Sequence, residues 1–190
     1  SGYTTSVINT VIYNNNKIGL KVVDGAGVDI IHSIIKNNVS SADSVEIEIG
    51  SNATASISYS MIPNGQNAIN SDGTLTWGSG NIDVDPMFVD TANGNYHLLA
   101  SSMLINAGHP DSTDGDGTVA DIGAYPYLNS FSGPIWYVQT DGSDTDGTGS
   151  SSSPFASIQS AINFATTDGD SVNVAAGTYV ENVNFRGRNI

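Results

Sequence analysis

Three copies of one short pattern decide the fold of this chain: INTVIYN at residues 8–14, IHSIIKN at residues 31–37 and SYSMIPN at residues 58–64. Corresponding positions lie 23 residues apart between the first two copies and 27 apart between the second and third. Each copy is a short run rich in strand-forming residues that ends in asparagine, a residue that favours turns. A strand-sized pattern that returns at this period predicts a solenoid, in which each copy stacks on the next.

Alternate residues of a strand lie on opposite faces, so the three copies can be compared column by column. We expect two columns of small and isoleucine side chains to point inward: Thr10, Ser33, Ser60 and Ile12, Ile35, Ile62. The column of terminal asparagines is expected at the inner edge of a turn, where stacked amides hydrogen-bond to one another: Asn14, Asn37 and Asn64.

The opposite face carries an apolar column that a solvated surface does not explain. It consists of Val11, Ile34 and Met61. Such a column needs a cover, either from a later part of the chain or from a partner. Trp77, beside Gly78, is the residue that we favour for this cover, and its alternative role is to stack on a sugar ring.

The composition narrows the class of function. The 190 residues include 5 Lys plus Arg against 19 Asp plus Glu, which gives a net charge of −14. A surface of this sign repels phosphate backbones, so we predict no nucleic-acid partner. No apolar run approaches the roughly 20 residues of a membrane span, so we predict no membrane insertion. The chain has no cysteine, so no disulfide contributes to it.

A family resemblance begins in the middle of the chain. Residues 85–125 contain, in order, DPMFVD, GNYHLLASSMLINAG and DGDGTVADIGAY. With the three repeated copies, residues 5–127 resemble the C-terminal ends of large secreted bacterial proteins with a pectin-lyase-like, right-handed parallel β-helix. This resemblance implies the fold and an extracellular or cell-surface location. It does not imply one function, because the members of the group differ in function.

Residues 128–134 are typical of a linker, and a second structural pattern begins after them. Phe155, Ile158, Ile162 and Ala165 form a helical stripe. It predicts an α-helix near 154–166 with Ser153 as N-cap, Pro154 at the first position and Gly169 as the stop. Strands are expected at residues 171–175 and 179–185. Residues 135–190 resemble the N-terminal cap and first rung of the same β-helix family, in which this helix closes the end of the solenoid.

The predicted order is therefore reversed: residues 1–127 are the last rungs and terminal wrap of one β-helix, and residues 135–190 are the cap and first rung of another. One explanation is an excerpt across two tandem β-helix domains. The other is a subunit whose open strand edges stack head-to-tail on further copies into a filament. The predicted assembly edges are Val7, Ile8, Val11, Ile12, Val183, Phe185 and Ile190.

Two acidic loops share a spacing that suits calcium. The first has Asp111, Asp114 and Asp116 before Gly117, with Asp121 as a further ligand, and the second has Asp141, Asp144 and Asp146 before Gly147. Oxygen ligands at alternating positions closed by glycine are what Ca²⁺ loops use. Asp-Gly runs are also ordinary turns, so the alternative is that these loops bind no metal.

Outward-facing polar residues of the repeats are the candidates for contact with a carbohydrate. His32, Tyr59 and Lys36, with Trp77, are the predicted polysaccharide-binding residues. A polysaccharide lyase would use such groups to abstract and return a proton. The alternative is a solvated outer face.

These observations predict an all-β fold, a right-handed parallel β-helix with a short capping α-helix. The predicted function is that of an extracellular structural or adhesive module that self-assembles or joins adjacent β-helix domains. The alternative is a fragment of a polysaccharide lyase or other carbohydrate-active β-helix enzyme.

Overall fold

The computed structural model describes residues 3–23, 25–38 and 45–190. The chain divides into two compact units. Unit 1 comprises Ser1–Val84, Ala107–Ser112 and Val119–Tyr125, and unit 2 comprises Asp85–Asn106, Thr113–Thr118 and Pro126–Ile190. These units do not follow the predicted boundaries at 127 and 135, because residues 85–106 group with the C-terminal part of the chain.

Unit 1 is built mainly from short strands. They are β1 (Thr4–Ile8), β2 (Val11–Tyr13), β3 (Leu20–Val22), β4 (Gly27–Ile31), β5 (Ile34–Lys36), β6 (Ile47–Ile49), β7 (Thr54–Ser58), β8 (Ile69–Ser71) and β9 (Thr74–Trp77), with a 3-10 helix at Gly65–Ala68 before β8.

All pairings among these strands are parallel. The sheets have the orders β1-β4-β7-β9, β2-β5 and β3-β6-β8. Single parallel bridges extend the β2-β5 pairing from Ile34 to Met61 and from Met61 to Ile82. We therefore define four repeats, which are residues 4–22, 27–49, 54–71 and 74–84, and each pairs with the next at equivalent positions.

The inward columns predicted from the sequence are confirmed. Ile35 and Ile62 are buried in one core cluster with Ile30, Ile47 and Ile57. Ser33 and Ser60 are fully buried beside them. Positions two residues apart, such as Ser33 and Ile35, share a face because successive residues of an extended strand point to opposite sides.

The outward apolar column is covered by a later part of the chain. Ile34 and Met61 are fully buried. The Gly123 N–H donates to the His32 carbonyl oxygen at 2.9 Å, which holds the segment over this face. Gly123 has a φ of 134°, which disfavours other residues, and a β-carbon there would lie 3.0 Å from Ile34 Cδ1. The role that we favoured for Trp77 is wrong, because Trp77 ends β9 opposite Ile57 and packs against the core cluster.

The asparagine column differs from the prediction. Asn14, Asn37 and Asn64 have φ values of 57°, 61° and 59°, in the left-handed region, and they are exposed. Asparagine tolerates this conformation better than most residues, so these positions turn the backbone at a corner. The buried asparagine that bonds along the stack is the next residue, Asn38.

Unit 2 contains two strand pairs and one α-helix. Its elements are β10 (Phe88–Asp90), β11 (Asn95–Leu98), β12 (Ile135–Val138), α1 (Ile158–Phe164) and β13 (Ser171–Val174), with a 3-10 helix at Thr91–Asn93. β10 and β11 are antiparallel, whereas β12 and β13 are parallel. The core around α1 holds packed aromatic rings: Phe155 and Phe164 are stacked with centroids 5.2 Å apart, and Trp136 is tilted against Phe164 with centroids 5.8 Å apart.

The predicted helix forms, although its start is wrong. Ser157, not Ser153, is the N-cap, and its side chain accepts a hydrogen bond from Ser160 N–H. β13 agrees with the predicted strand at 171–175, whereas residues 179–185 form no strand. No helix among the described residues is long and apolar enough to span a bilayer.

Candidate functional site

The first repeat presents an open edge to its surroundings. β1, β2 and β3 are each the terminal strand of their sheet, and no strand in the described ranges pairs with their outer sides. The core columns also end there. Val7, Ile12 and Leu20 are only partly buried against the core, whereas their partners in the second repeat are almost fully buried. Ile8 is 51% exposed. This edge contains the predicted residues Val7, Ile8, Val11 and Ile12.

A ladder of side-chain hydrogen bonds runs through the repeats beside this edge. The N–H of Thr10 donates to Ser33 Oγ at 3.2 Å, and the N–H of Ser33 donates to Ser60 Oγ at 3.2 Å. The N–H of Ser60 donates to Asn81 Oδ1 at 3.1 Å. Each step satisfies a backbone donor at a corner between strands, where no β-ladder partner exists.

The hydroxyl groups of the ladder have one orientation. Thr10, Ser33 and Ser60 each donate their hydroxyl proton to the carbonyl oxygen two residues earlier, at 2.9 Å in every case. This leaves the oxygen lone pairs directed at the neighbouring repeat as acceptors. Asn81 replaces the hydroxyl in the fourth repeat and donates its Nδ2 to Ile57 O and Gly78 O.

A second ladder lies at the next corner. Asn38 Oδ1 accepts from Asn15 N–H at 3.0 Å and from Asn15 Nδ2 at 2.8 Å. Asn38 donates from its backbone N–H and its Nδ2 to the Glu46 carboxylate, which is 3% exposed. The buried charge of Glu46 is thus supported by two hydrogen bonds within unit 1.

His32 is not on a solvated face. It is 5% exposed, and its Nε2 accepts a hydrogen bond from His109 N–H at 2.8 Å. The Tyr59 ring packs edge-on against His109 with centroids 4.8 Å apart. Burial and the nearby His109 ring lower the pKa of His32 below its ordinary value. The expectation that His32 lies on an exposed outer face is therefore wrong, and its ring contributes to the packing of residues 107–112 within unit 1.

The other residues predicted to bind carbohydrate are separated. Tyr59 lies at the His32 cluster and Lys36 ends β5, where both are partly exposed. Trp77 belongs to the inner column of β9. The structure brings Tyr59 and His32 together, whereas Lys36 and Trp77 lie apart from them in β5 and β9. Carbohydrate binding by these residues stays a prediction.

Comparison of the chain with protein-family models, with curated proteins and with solved structures finds no match.

The first acidic loop is divided between the two units. Asp111 and Asp121 belong to unit 1, with the Asp111 side chain 92% exposed and Asp121 buried, and Asp114 and Asp116 belong to unit 2. The Asp116 carboxylate accepts hydrogen bonds from Thr118 N–H, Thr118 Oγ1 and Asn129 N–H. These bonds lower the pKa of Asp116 against the opposing effect of burial, which raises it.

The second acidic loop supports α1. Asp144 Oδ1 accepts from Ala156 N–H at 3.0 Å, Ser157 N–H at 3.2 Å and Ser160 Oγ at 2.7 Å. Asp146 and Asp141 are exposed. Within residues 3–23, 25–38 and 45–190, no three His, Asp or Glu side chains are grouped to hold a metal ion. Calcium binding stays a prediction, which a melting curve with Ca²⁺ and with EDTA tests.

The remaining predicted assembly residues lie in unit 2. Val183, Phe185 and Ile190 are in a segment without strands, and Val183 and Phe185 are 38% and 56% exposed. Sequence reasoning missed Asn38 and Asn81 as ladder residues. The signal for Asn81 was weak, because the fourth repeat lies only 21 residues after Ser60 and lacks the strand pattern that identified the first three.

Proposed function

We propose that this chain is a structural or adhesive module, built on a right-handed parallel β-helix, that acts outside the cell by joining its repeats to those of a neighbouring β-helix chain. Each repeat would be one rung of the β-helix. Parallel pairing at equivalent positions in successive repeats supports this architecture, because parallel strands joined by short corners bring copies of one pattern into stacked columns.

The open edge of the first repeat is the observation that carries the proposed function. Unpaired strands are templates for further pairing, and soluble proteins usually protect them with charges, proline or a covering segment. β1 is TTSVI, without charge or proline, and Ile8 is half exposed. An edge of this kind can pair with a strand of a further β-helix repeat, in another copy of the chain or in an adjacent β-helix domain.

The extracellular setting is proposed from the resemblance of residues 5–127 and 135–190 to secreted β-helix proteins. The acidic composition bears only on partners, because a net charge of −14 disfavours binding to nucleic acid. His32, one of the residues that the lyase hypothesis would use, is buried and accepts a hydrogen bond from His109 N–H.

Light scattering across a concentration series tests the proposed function. We expect the mean mass to rise with concentration and negative-stain electron microscopy to show elongated particles. Thr5→Lys is the test variant, because Thr5 lies in an inward column with Val28 and Ala55, where a charge blocks stacking. Ser151→Lys is the control, since Ser151 is exposed in unit 2. A strict monomer at every concentration overturns the assembly function.

A further inference from the structure

We propose that His32 is a proton-sensitive latch, which holds a covering segment on the repeats at neutral pH and releases it when the imidazole is protonated. The covering segment, which we call the strap, consists of residues 107–112 and 119–125, and both parts belong to unit 1 together with the repeats. The latch is independent of the proposed assembly, because every group in it lies within one copy of unit 1.

The two parts of the strap are bonded to each other. Gly108 N–H donates to the Ala120 carbonyl oxygen at 2.8 Å, and Ala120 N–H donates to the Ser112 carbonyl oxygen at 2.9 Å. Ala120 and Ile122 are buried. Because these bonds join the two parts, a change that moves one part also pulls on the other.

One residue, His32, binds both parts of the strap. Its ring Nε2 accepts the His109 N–H at 2.8 Å, and its backbone carbonyl oxygen accepts the Gly123 N–H at 2.9 Å. The backbone at Gly108 packs directly on the ring, since a β-carbon there would lie 3.1 Å from both Nε2 and Cδ2 of His32. The ring therefore cannot gain water at Nε2 unless the strap moves.

The hydrogen bond from His109 fixes the proton on the other nitrogen of the His32 ring. A ring nitrogen that accepts an N–H carries no proton, so neutral His32 has its proton on Nδ1. A second proton can bind only at Nε2, which is the atom that holds the strap. Protonation would place two N–H groups against each other in this contact, and an attraction would become a repulsion.

The surroundings of His32 favour its neutral form while the strap is closed. The titratable groups on the elements packed against it are Tyr59 in the third repeat, His109 and Asp111 in the first part of the strap, and Asp121 in the second part. Burial of the ring and the nearby His109 lower the pKa of His32. The Asp111 side chain is 92% exposed, and its carboxylate lies 3.9 Å from His109 Nδ1.

The direction of the pH effect follows from these surroundings. Release of the strap returns the His32 ring to water, where its pKa is the ordinary 6.5. The released state therefore binds the proton more readily than the closed state. The closed state has its full stability above pH 6.5 and loses stability relative to the released state as the pH falls toward the lower pKa of the closed state.

Release would expose an apolar surface that the strap covers. Ile34 and Met61 are fully buried, and Gly123 lies against Ile34 Cδ1. These two side chains are not part of the core cluster inside the repeats, so the repeats keep their own core when the strap leaves. The strap can therefore open locally, and an acidic medium would present an apolar column where a neutral medium presents the strap.

Hydrogen exchange of the full chain tests the latch, with EDTA present so that calcium does not contribute. We expect the protection factors of the His109 and Gly123 amides to fall by up to about tenfold between about pH 7.5 and about pH 5.5, which is one unit below the ordinary pKa of His32. The amides of Thr54 and Thr74, which are bonded between repeats, should keep their protection. Unchanged protection of the strap, or an equal fall in the repeats, overturns the latch.

His32→Gln is the test variant. Glutamine offers an amide oxygen as an acceptor and does not titrate, so we expect the protection of the strap to be the same at both pH values. His97→Gln, exposed in unit 2, is the control and should keep the pH dependence of the parent chain. A His32→Gln chain whose strap responds to pH as the parent does overturns the inference.

Nitrogen NMR of the parent chain is a measurement that needs no variant. At neutral pH, we expect the His32 ring to carry its proton on Nδ1 and none on Nε2. His32 should then titrate over the same pH interval in which the strap loses protection. A proton on Nε2 at neutral pH, or release of the strap that does not follow the titration of His32, overturns the latch.

Gly108→Ala should open the strap without a proton. The added β-carbon would lie 2.6 Å from the Ala120 carbonyl oxygen and 3.1 Å from His32 Nε2, so we expect low protection of the strap at both pH values and binding of an apolar fluorescent dye at neutral pH. Gly115→Ala is the matched control, since its β-carbon would lie 3.7 Å from the nearest atom, in Leu128. Full protection of the strap in Gly108→Ala overturns the role of this contact in the latch.

Discussion

At the scale of single residues, the serine ladder explains why small polar side chains are tolerated in an apolar interior. Ser33 and Ser60 are fully buried, yet their oxygens each receive a backbone N–H and return their proton to a carbonyl. A buried hydroxyl with both roles satisfied is compatible with the core, whereas a buried N–H without an acceptor is costly.

We predict that Ser33→Ala lowers the free energy of unfolding by about 1–3 kcal/mol, because Thr10 N–H loses its acceptor in a partly buried position. Thr10→Ala is the matched comparison at low protein concentration. It removes the same hydroxyl-to-carbonyl bond but no accepted N–H, so it should cost less. Urea unfolding followed by circular dichroism measures both. Equal losses would show that the ladder bond contributes nothing.

His32 provides a prediction about pH. Its folded-state pKa lies below the ordinary value of 6.5, because burial and His109 disfavour the imidazolium. The unfolded chain therefore binds this proton more readily. The stability that the neutral ring contributes is full above pH 6.5 and declines as the pH falls toward the lower folded-state pKa. Protonation would also remove the acceptor for His109 N–H, while Tyr59 lies beside both rings.

The test compares the parent chain with His32→Gln in urea at about pH 7.5 and about pH 5.5. We expect the variant to lose less stability than the parent between these values, since its side chain does not titrate. His97→Gln, at an exposed position, is the control and should behave like the parent. A parent and a His32 variant with the same pH dependence would contradict the prediction.

At the scale of elements, the short helix α1 depends on two carboxylates outside it. Asp144 accepts N–H groups of Ala156 and Ser157, and Glu181 accepts those of Ile158 and Gln159 at 2.8 and 2.9 Å. A helix of seven residues has few internal hydrogen bonds, so its first N–H groups need partners from elsewhere. Glu181 accepts the first two N–H groups of the helix, whereas Asp144 accepts those of the two residues before it. Both negative charges are favourable near the positive end of the helix dipole.

We predict that Asp144→Ala destabilises unit 2 by about 1–2 kcal/mol, because the N–H groups of Ala156 and Ser157 and the Ser160 hydroxyl lose their acceptor. Asp146→Ala, two residues away and exposed, should change stability by less than about 0.5 kcal/mol. Thermal unfolding of both variants with added EDTA measures the difference without a contribution from calcium. A loss of equal size in the two variants would show that the negative charge of the loop, rather than the hydrogen bonds of Asp144, affects the stability of unit 2.

The elements also show where sequence reasoning succeeds. The stripe Phe155, Ile158, Ile162 located α1 because burial imposes the helical period on the sequence. The N-cap was misplaced from Ser157 to Ser153 because several serines precede the helix and local sequence does not choose among them. At Ser157 the backbone N–H donates to Asp144, a contact 13 residues apart in sequence that local sequence does not show.

At the scale of the whole molecule, the columns of the first three repeats were predictable, because their interior positions repeat in one pattern. The fourth repeat was not, since Asn81 and Trp77 replace the residues that define that pattern. The sequence predicted that the outward apolar column needs a cover. It did not show which segment provides the cover, because Gly123 lies 89 residues from Ile34 in sequence. The sequence therefore predicted the open edge of the first repeat, but it did not predict the fourth repeat.

Net charge supplies the last prediction, which concerns the whole chain. Copies with a net charge of −14 repel one another, and this repulsion opposes any end-to-end contact. Raising ionic strength from about 0.01 M to about 0.15 M shortens the Debye length from about 30 Å to about 8 Å, so repulsion between distant charges is screened while apolar contacts between copies persist. We expect the mean mass from light scattering to rise over this range, and sucrose in place of salt should not reproduce the increase. A mean mass that falls with salt would contradict this prediction, because it would mean that attraction between opposite charges holds the copies together.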